Sequence, residues 1–242
     1  MLWFIVAVGA FVAGTVQTLT GFGAGVIMVL LLSTQLGMIA APAVNTSICL
    51  GLTTVLTVRY WKSIEFRKMA LPIALYTVLS AVSIYFVTRI DMDLLAISFG
   101  VFLIGLSVFS LFFSKRIRIR ENILLLLAFA MISGVFSGLF GVGGPLLAAY
   151  LIAVTNSQES YIGNTQFLFT ATNIINMGIR IARGIYKPEY IGYSLVGIAA
   201  VLIGMMLGNR IRERINIALL KKMVYVFVFL SGVATILQHI PW

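Results

Sequence analysis

Acidic residues are scarce in this 242-residue chain and absent from its interior stretches. All seven Asp and Glu (Glu65, Asp91, Asp93, Glu121, Glu159, Glu189 and Glu213) fall in charged connectors or at their edges. The single histidine is His239 and the single cysteine is Cys49, which sits in an apolar run. With so few ligands and no acid–base pair or activated nucleophile, neither a metal site nor catalysis is expected, and no cofactor is called for. One cysteine makes an internal disulfide impossible. A carrier of cations would find no countercharge inside the apolar segments.

What is present is hydrocarbon. Hydrophobic residues make up 61% of the chain and charged residues 10%, with a mean hydropathy of +1.08, far outside the composition of a soluble domain. The net charge of +10 comes from 17 Lys and Arg that sit in short connectors, where they set membrane orientation rather than bind nucleic acid. The N-terminal MLWFIVAVGAFVAG has no basic start or small-residue cleavage site and reads as a first membrane segment. Apolar segments run over 2–33, 43–58, 69–88, 94–114, 122–154, 161–179, 190–209 and 217–238. Between them lie RYWKSIEFRK, TRIDMD, SKRIRIRE, TNSQES, RIARGIYKPE and the basic stretch beginning NRIRERIN. Six segments suit one helical crossing of about 20 residues.

Segments 2–33 and 122–154 do not. Either one as a straight helix would be roughly 48 Å long, against a hydrocarbon core of about 30 Å, and two crossings would need about 40 residues. Each carries a glycine-rich break in its second half, TLTGFGAG (18–25) and SGLFGVGGP (137–145). Gly14, Gly21 and Gly23 match Gly134, Gly141 and Gly143 at one offset of 120. A broken membrane helix survives only where protein or a watery cavity satisfies its backbone, and paired breaks in two halves point to a transporter's binding site. A re-entrant hairpin fits each long segment: an inbound arm of about 17 residues, a tip at the glycines, and a short outbound arm. Hairpins leave three crossings per half, so the halves are inverted, with 13 cations inside and 4 outside. Eight single crossings would place 11 inside and 6 outside, a weaker match to the positive-inside rule. The expected fold is therefore an all-α polytopic membrane protein of two inverted repeats, 1–114 and 115–242, in one integral domain. Each repeat has a broken re-entrant hairpin plus three transmembrane helices.

Both outbound arms would begin a helix at the centre, and helix N-termini with bare glycine backbone are ready anion sites. Gly21, Gly23, Gly141, Gly143 and Gly144 are thus candidate binding residues. Pro145 sits at a natural first helical position, and Gln17, Thr18 and Ser137 flank the tips. Gly21/Gly25 and Gly134/Gly138 also have small-xxx-small spacing, as do Gly204/Gly208, for which helix packing is the better reading. Asn45–Thr46 and Asn164–Thr165 recur at an offset of 119 at what reads as a helix start, where an amide either caps or binds. Gln166, Thr170, Asn173, Asn176 and Arg180 form one polar face at helical spacing. On the earlier helix Ser47, Gly51, Thr54 and Thr57 hold the matching positions, with Trp61 in place of Arg180. Neutral amides, hydroxyls and helix ends, with Arg at the margin, suit an oxyanion.

These features resemble the sulfite exporter (TauE/SafE) family over essentially the whole chain. The resemblance rests on the duplicated four-segment layout, on GFGAGVIMVLLL and GLFGVGGPLLAAYL, and on the Asn-Thr after each break. It implies a multi-pass transporter of the cytoplasmic membrane that moves sulfite, sulfoacetate or another small sulfur-containing anion, usually outward. It also implies that Gly21, Gly23, Gly141, Gly143, Gly144, Asn45 and Asn164 hold motif positions. The first break departs from the second, with Ala24 opposite Gly144 and no proline. Expected partners are a small anion and the lipid bilayer, with no nucleic acid, for a monomer or homodimer. A sodium- or proton-coupled importer, an anion channel and a non-transporting membrane subunit remain open readings.

Overall fold

The computed structural model describes residues 1–113, 123–155 and 157–239. The basic connector 114–121, with Glu121 and the expected boundary between halves, lies outside the described residues. In chain order the helices are α1 (Leu2–Thr20), α2 (Ala24–Arg59), α3 (Phe66–Val87), α4 (Met92–Val108, continuing into the π-turn Phe109–Phe113), α5 (Ile123–Phe140), α6 (Gly144–Val154), α7 (Gln158–Ala182), α8 (Tyr190–Ile211) and α9 (Ile217–His239). No strand occurs among the described residues. That follows from apolar runs in which every backbone group has to be bonded within its own segment.

Helix ends fall where local chemistry provides partners. Asp91 caps α4 by accepting from the N–H groups of Asp93 and Leu94 at 3.0 and 3.1 Å. Ser157 caps α7 by accepting from Ser160 N–H at 3.0 Å. Gly21 ends α1 in the left-handed conformation, donating to the Gln17 carbonyl at 2.7 Å.

Among the described residues, seven helices are long and apolar enough to cross a membrane: α1, α2, α3, α4, α5, α8 and α9. The segment expected to cross at 161–179 is the helix α7, long enough at 25 residues. It falls outside that apolar set because its face is given over to Gln, Thr and Asn. The helix α6 has only 11 residues and reaches about half-way across a hydrocarbon core. On the first side the outbound arm does not stop at a connector. It runs on as α2 through a single non-helical residue, Gly37, at φ 74° and ψ 171°.

Both long segments fold back at their glycines. Gly9 of α1 lies against Leu31 and Met28 of α2, and the ring of Phe129 on α5 is 6.0 Å from that of Tyr150 on α6. Small residues then let backbones approach. Gly204 and Gly208 of α8 sit against the carbonyls of Phe11 and Thr15, so α8 runs parallel to α1. Gly134 and Gly138 of α5 sit against the carbonyls of Tyr76 and Ser80, so α5 runs parallel to α3. In contrast, α2 and α7 are antiparallel: Gly163 faces Tyr60, and Thr57 and Thr170 bond through their hydroxyls at 2.9 Å. Helices α4 and α9 are also antiparallel, with Gly100 beside Ile236 and Ile104 beside Gly232. The connectors collect at two ends. Glu65 N–H donates to Asn164 Oδ1 at 2.8 Å, joining 59–65 to the start of α7. At the other end Arg183 donates to the Tyr85 carbonyl at 3.4 Å and covers the Tyr85 ring, close to Arg89.

Candidate functional site

The two hairpin tips meet. Gly21, Gly23 and Gly141 have φ of 89°, 109° and 66°, a backbone region open to glycine at no steric cost. Across the contact, Asn45 Nδ2 donates to the Gly141 carbonyl at 3.1 Å. In the mirror role, Gln166 Nε2 donates to the Gly21 carbonyl at 3.2 Å, and Gln17 Nε2 donates to Gln166 Oε1 at 3.3 Å. Gln17 Oε1 in turn accepts the Ala24 N–H at 3.2 Å, taking one orphan donor at the start of α2. Each broken backbone is therefore held by an amide from the other half.

A cavity of about 50 Å³ lies between the tips, room for a few waters. Its lining pairs at the offset of 120 seen in the glycines: Gln17 with Ser137, Gly23 with Gly143, Gly25 with Pro145, Cys49 with Phe169 and Thr53 with Asn173. Among the described residues no ionised side chain lines it. Its polarity comes from Gln17, Thr53, Ser137, Asn173 and the Tyr76 hydroxyl, and from the starts of α2 and α6, each equivalent to about half a positive charge. The Asn173 amide makes no hydrogen bond among the described residues, which leaves it available to a ligand.

Of the residues singled out in the sequence, Gln17, Gly23, Gly141, Gly143, Gly144, Asn173 and Ser137 line this cavity. Gly21 and Thr18 line a neighbouring one. Asn45 and Gln166 hold the tips. Asn164 does neither: it is buried beside Glu65, at the end of the molecule, and bonds that residue's N–H. The Asn-Thr pairs repeat at 119 whereas the lining repeats at 120, so the matching asparagines are one residue out of register and point to different neighbours. Neither caps a helix, because both lie well inside α2 and α7. The same slip affects the earlier polar face. Thr54 is exposed and Gly51 packs on Ile198, while Cys49, Thr53 and Thr57 turn inward. Trp61 lies in an exposed turn after α2. Thr53, Tyr76 and Phe169 were not legible as site residues from sequence; the offset of 120, applied past the glycines, finds Thr53 from Asn173.

The α7 face leads away from the cavity. Asn176 accepts from Ser80 Oγ at 2.9 Å and donates to Ser137 Oγ at 3.4 Å. One turn on, Arg180 is 0% exposed and donates through Nη2 to the Gly138 carbonyl at 2.8 Å. Its Nε and Nη1 have no partner among the described residues. A buried cation with open donors and no carboxylate is costly unless something else answers it.

No curated protein and no solved structure matches the chain. The family model for Sulfite exporter TauE/SafE matches residues 6–235, a span that holds both hairpins, the cavity between them and every helix that lines it. The chain therefore belongs to the sulfite exporter TauE/SafE family of membrane transporters.

Proposed function

We propose that the chain carries a small sulfur-containing oxyanion outward across the cytoplasmic membrane, through a site where two inverted hairpin repeats meet. The observation that carries this reading is the central cavity: lined at one repeat offset by bare glycine backbone, amides, hydroxyls and two helix starts, with no acid. Such a lining stabilises negative charge and offers a cation no countercharge. The volume of about 50 Å³ favours compact sulfite over an extended sulfonate such as sulfoacetate. Both tip carbonyls, at Gly21 and Gly141, already accept an amide, which weakens a sodium-coupled importer built on unwound carbonyls.

The inverted arrangement is supported by packing. A two-fold axis in the membrane plane exchanges α1 with α5 and α3 with α8, turning the parallel pair α1–α8 into the parallel pair α5–α3. It makes α2–α7 and α4–α9 antiparallel. All four relations are met. The end that gathers Arg67, Lys68, Arg212 and Lys221 is the cytoplasmic one on the positive-inside rule. An inside-negative potential contributes about 2.3 kcal/mol per charge per 100 mV and drives anions outward without a coupling ion. Arg180, buried with two unpartnered donor nitrogens among the described residues, continues the polar file of α7 beyond the cavity toward the outside.

Reconstituted protein tests this. Sulfite efflux from proteoliposomes is expected, without sodium, and Asn173→Leu is expected to slow it at least tenfold while the protein stays folded and monodisperse. Flux through Asn173→Leu equal to the parent's would remove the central cavity from the path.

A further inference from the structure

A second and larger cavity, of about 310 Å³, opens on the other side of the first hairpin's tip. Thr18, Thr20 and Gly21 form one wall, and the start of α7, Arg212 just after α8 and the first turns of α9 form the rest. Two cations line it, Arg212 and Lys221, and neither is in an ion pair among the described residues. The Lys221 ammonium lies 6.0 Å from the ring of Phe22, in the break itself, and that ring stacks on Tyr225 at 5.9 Å. Among the described residues no acid lines the cavity; Glu159 and Glu213, the nearest in sequence, are exposed outside it.

Tyr161 adds an independent sign. It is 5% exposed and lines the same cavity, yet its hydroxyl is buried without a hydrogen-bond partner among the described residues. It lies so close to Gly21 that a Cβ added there would sit 2.8 Å from the hydroxyl oxygen. Buried hydroxyls without partners are uncommon, and one that lines a cavity together with two unpaired cations is suited to donate to an anion. The α7 N-terminus contributes further positive potential to the same space.

We infer that this vestibule is a second oxyanion site, in which Lys221 and Arg212 supply charge and the Tyr161 hydroxyl donates to the ion beside the first hairpin's tip. The identification of the ion as sulfite rests on the carrier function proposed above. The vestibule is open to water, so its attraction is screened over about 8 Å at physiological salt. It binds more weakly and more salt-sensitively than the enclosed centre. A loading site of this kind has to hold an ion well enough to capture it and loosely enough to pass it on.

The test is equilibrium binding of radiolabelled inorganic sulfite, under nitrogen, to the full-length protein in lipid nanodiscs at low and high ionic strength. Two classes of site are expected, the weaker one lost at high salt. The double variant Lys221→Gln/Arg212→Gln should lose the weaker class and keep the tighter. Lys221→Arg should retain both. Tyr161→Phe should weaken the salt-sensitive class by roughly tenfold, the scale of one hydrogen bond to a charged group. Thr53→Val/Asn173→Leu should do the reverse, removing the tighter class alone. Thermal unfolding of each variant checks its folding. Both classes unchanged in Lys221→Gln/Arg212→Gln, or a single class that answers only to Asn173→Leu, would overturn the vestibule site and leave the central one standing. A single class that answers only to the vestibule pair would overturn the central site instead, and no sulfite binding at all would overturn both.

Discussion

Asn45 and Asn164 are each followed by threonine and look interchangeable on paper, yet their amides have different partners. Asn45 satisfies the Gly141 carbonyl inside the tip contact; Asn164 satisfies a partly buried N–H at the Glu65 connector. Asn45→Ala leaves a partly buried carbonyl and the buried Cys49 thiol unpaired and should cost about 1–3 kcal/mol, read as a lower thermal midpoint together with weaker sulfite binding. Asn164→Ala should cost about 0.5–1.5 kcal/mol and leave sulfite affinity as it was. Loss of affinity in Asn164→Ala at an unchanged midpoint would return that residue to the site. Glycines divide in the same way. Gly143 has an ordinary φ of −107°, so its glycine is required by space: a Cβ there collides with the Ser133 carbonyl. Gly143→Ala should therefore fail to give a stable protein. Gly105→Ala, in α4 with nothing within 4 Å of the added carbon, should raise stability by about 0.4–1 kcal/mol.

At the scale of elements, α7 differs from its neighbours. Its buried face is a file of Gln166, Thr170, Asn173, Asn176 and Arg180, each tied to the other half or to a hairpin, except Asn173 at the cavity. That file explains why a helix of ample length is not apolar enough to stand among the seven candidate spans. Its last member decides whether the file is a path. Arg180→Leu removes a buried cation that has one hydrogen bond and two open donors. On structural grounds the thermal midpoint should hold or rise. If anions pass Arg180, sulfite flux should fall at least tenfold in the same variant. A parental flux in Arg180→Leu would assign the arginine to anchoring α5 at Gly138 and nothing more.

The whole molecule is organised by which ends of the helices lie together. Inverted repeats require the start of α7 to be cytoplasmic and the α7–α8 connector external. Single cysteines at the exposed positions Glu159 and Lys187, in a Cys49→Ser background, should then label from opposite sides of the membrane, Glu159→Cys from the cytoplasm. Labelling of Glu159→Cys from outside would restore eight simple crossings. The scarcity of acids acts at this scale too. With no carboxylate in the apolar segments to carry protons, efflux should follow an imposed membrane potential more steeply than a pH gradient of equal driving force. Efflux that ignores potential would exclude uniport of a net charge.

Sequence alone determined what depends on composition and on position along the chain. An apolar run has to bond its own backbone, so the helices were legible. A run too long for one crossing and too short for two has to turn back, so both hairpins were legible from length and glycine. Membership of the family followed from the same motifs. Tertiary structure decided what depends on which side chain faces which neighbour far along the chain. A one-residue slip between the Asn-Thr repeat and the lining repeat rotates a side chain by about 100° around the helix, enough to send Asn164 to a connector and bring Thr53 to the cavity. Tyr76 sits in a run as apolar as any other and Phe169 on the polar helix α7, and only the meeting of the two tips makes them walls of a site. Arg180, at the border of a charged connector in the sequence, ended wholly buried because α7 carries it inward against α5.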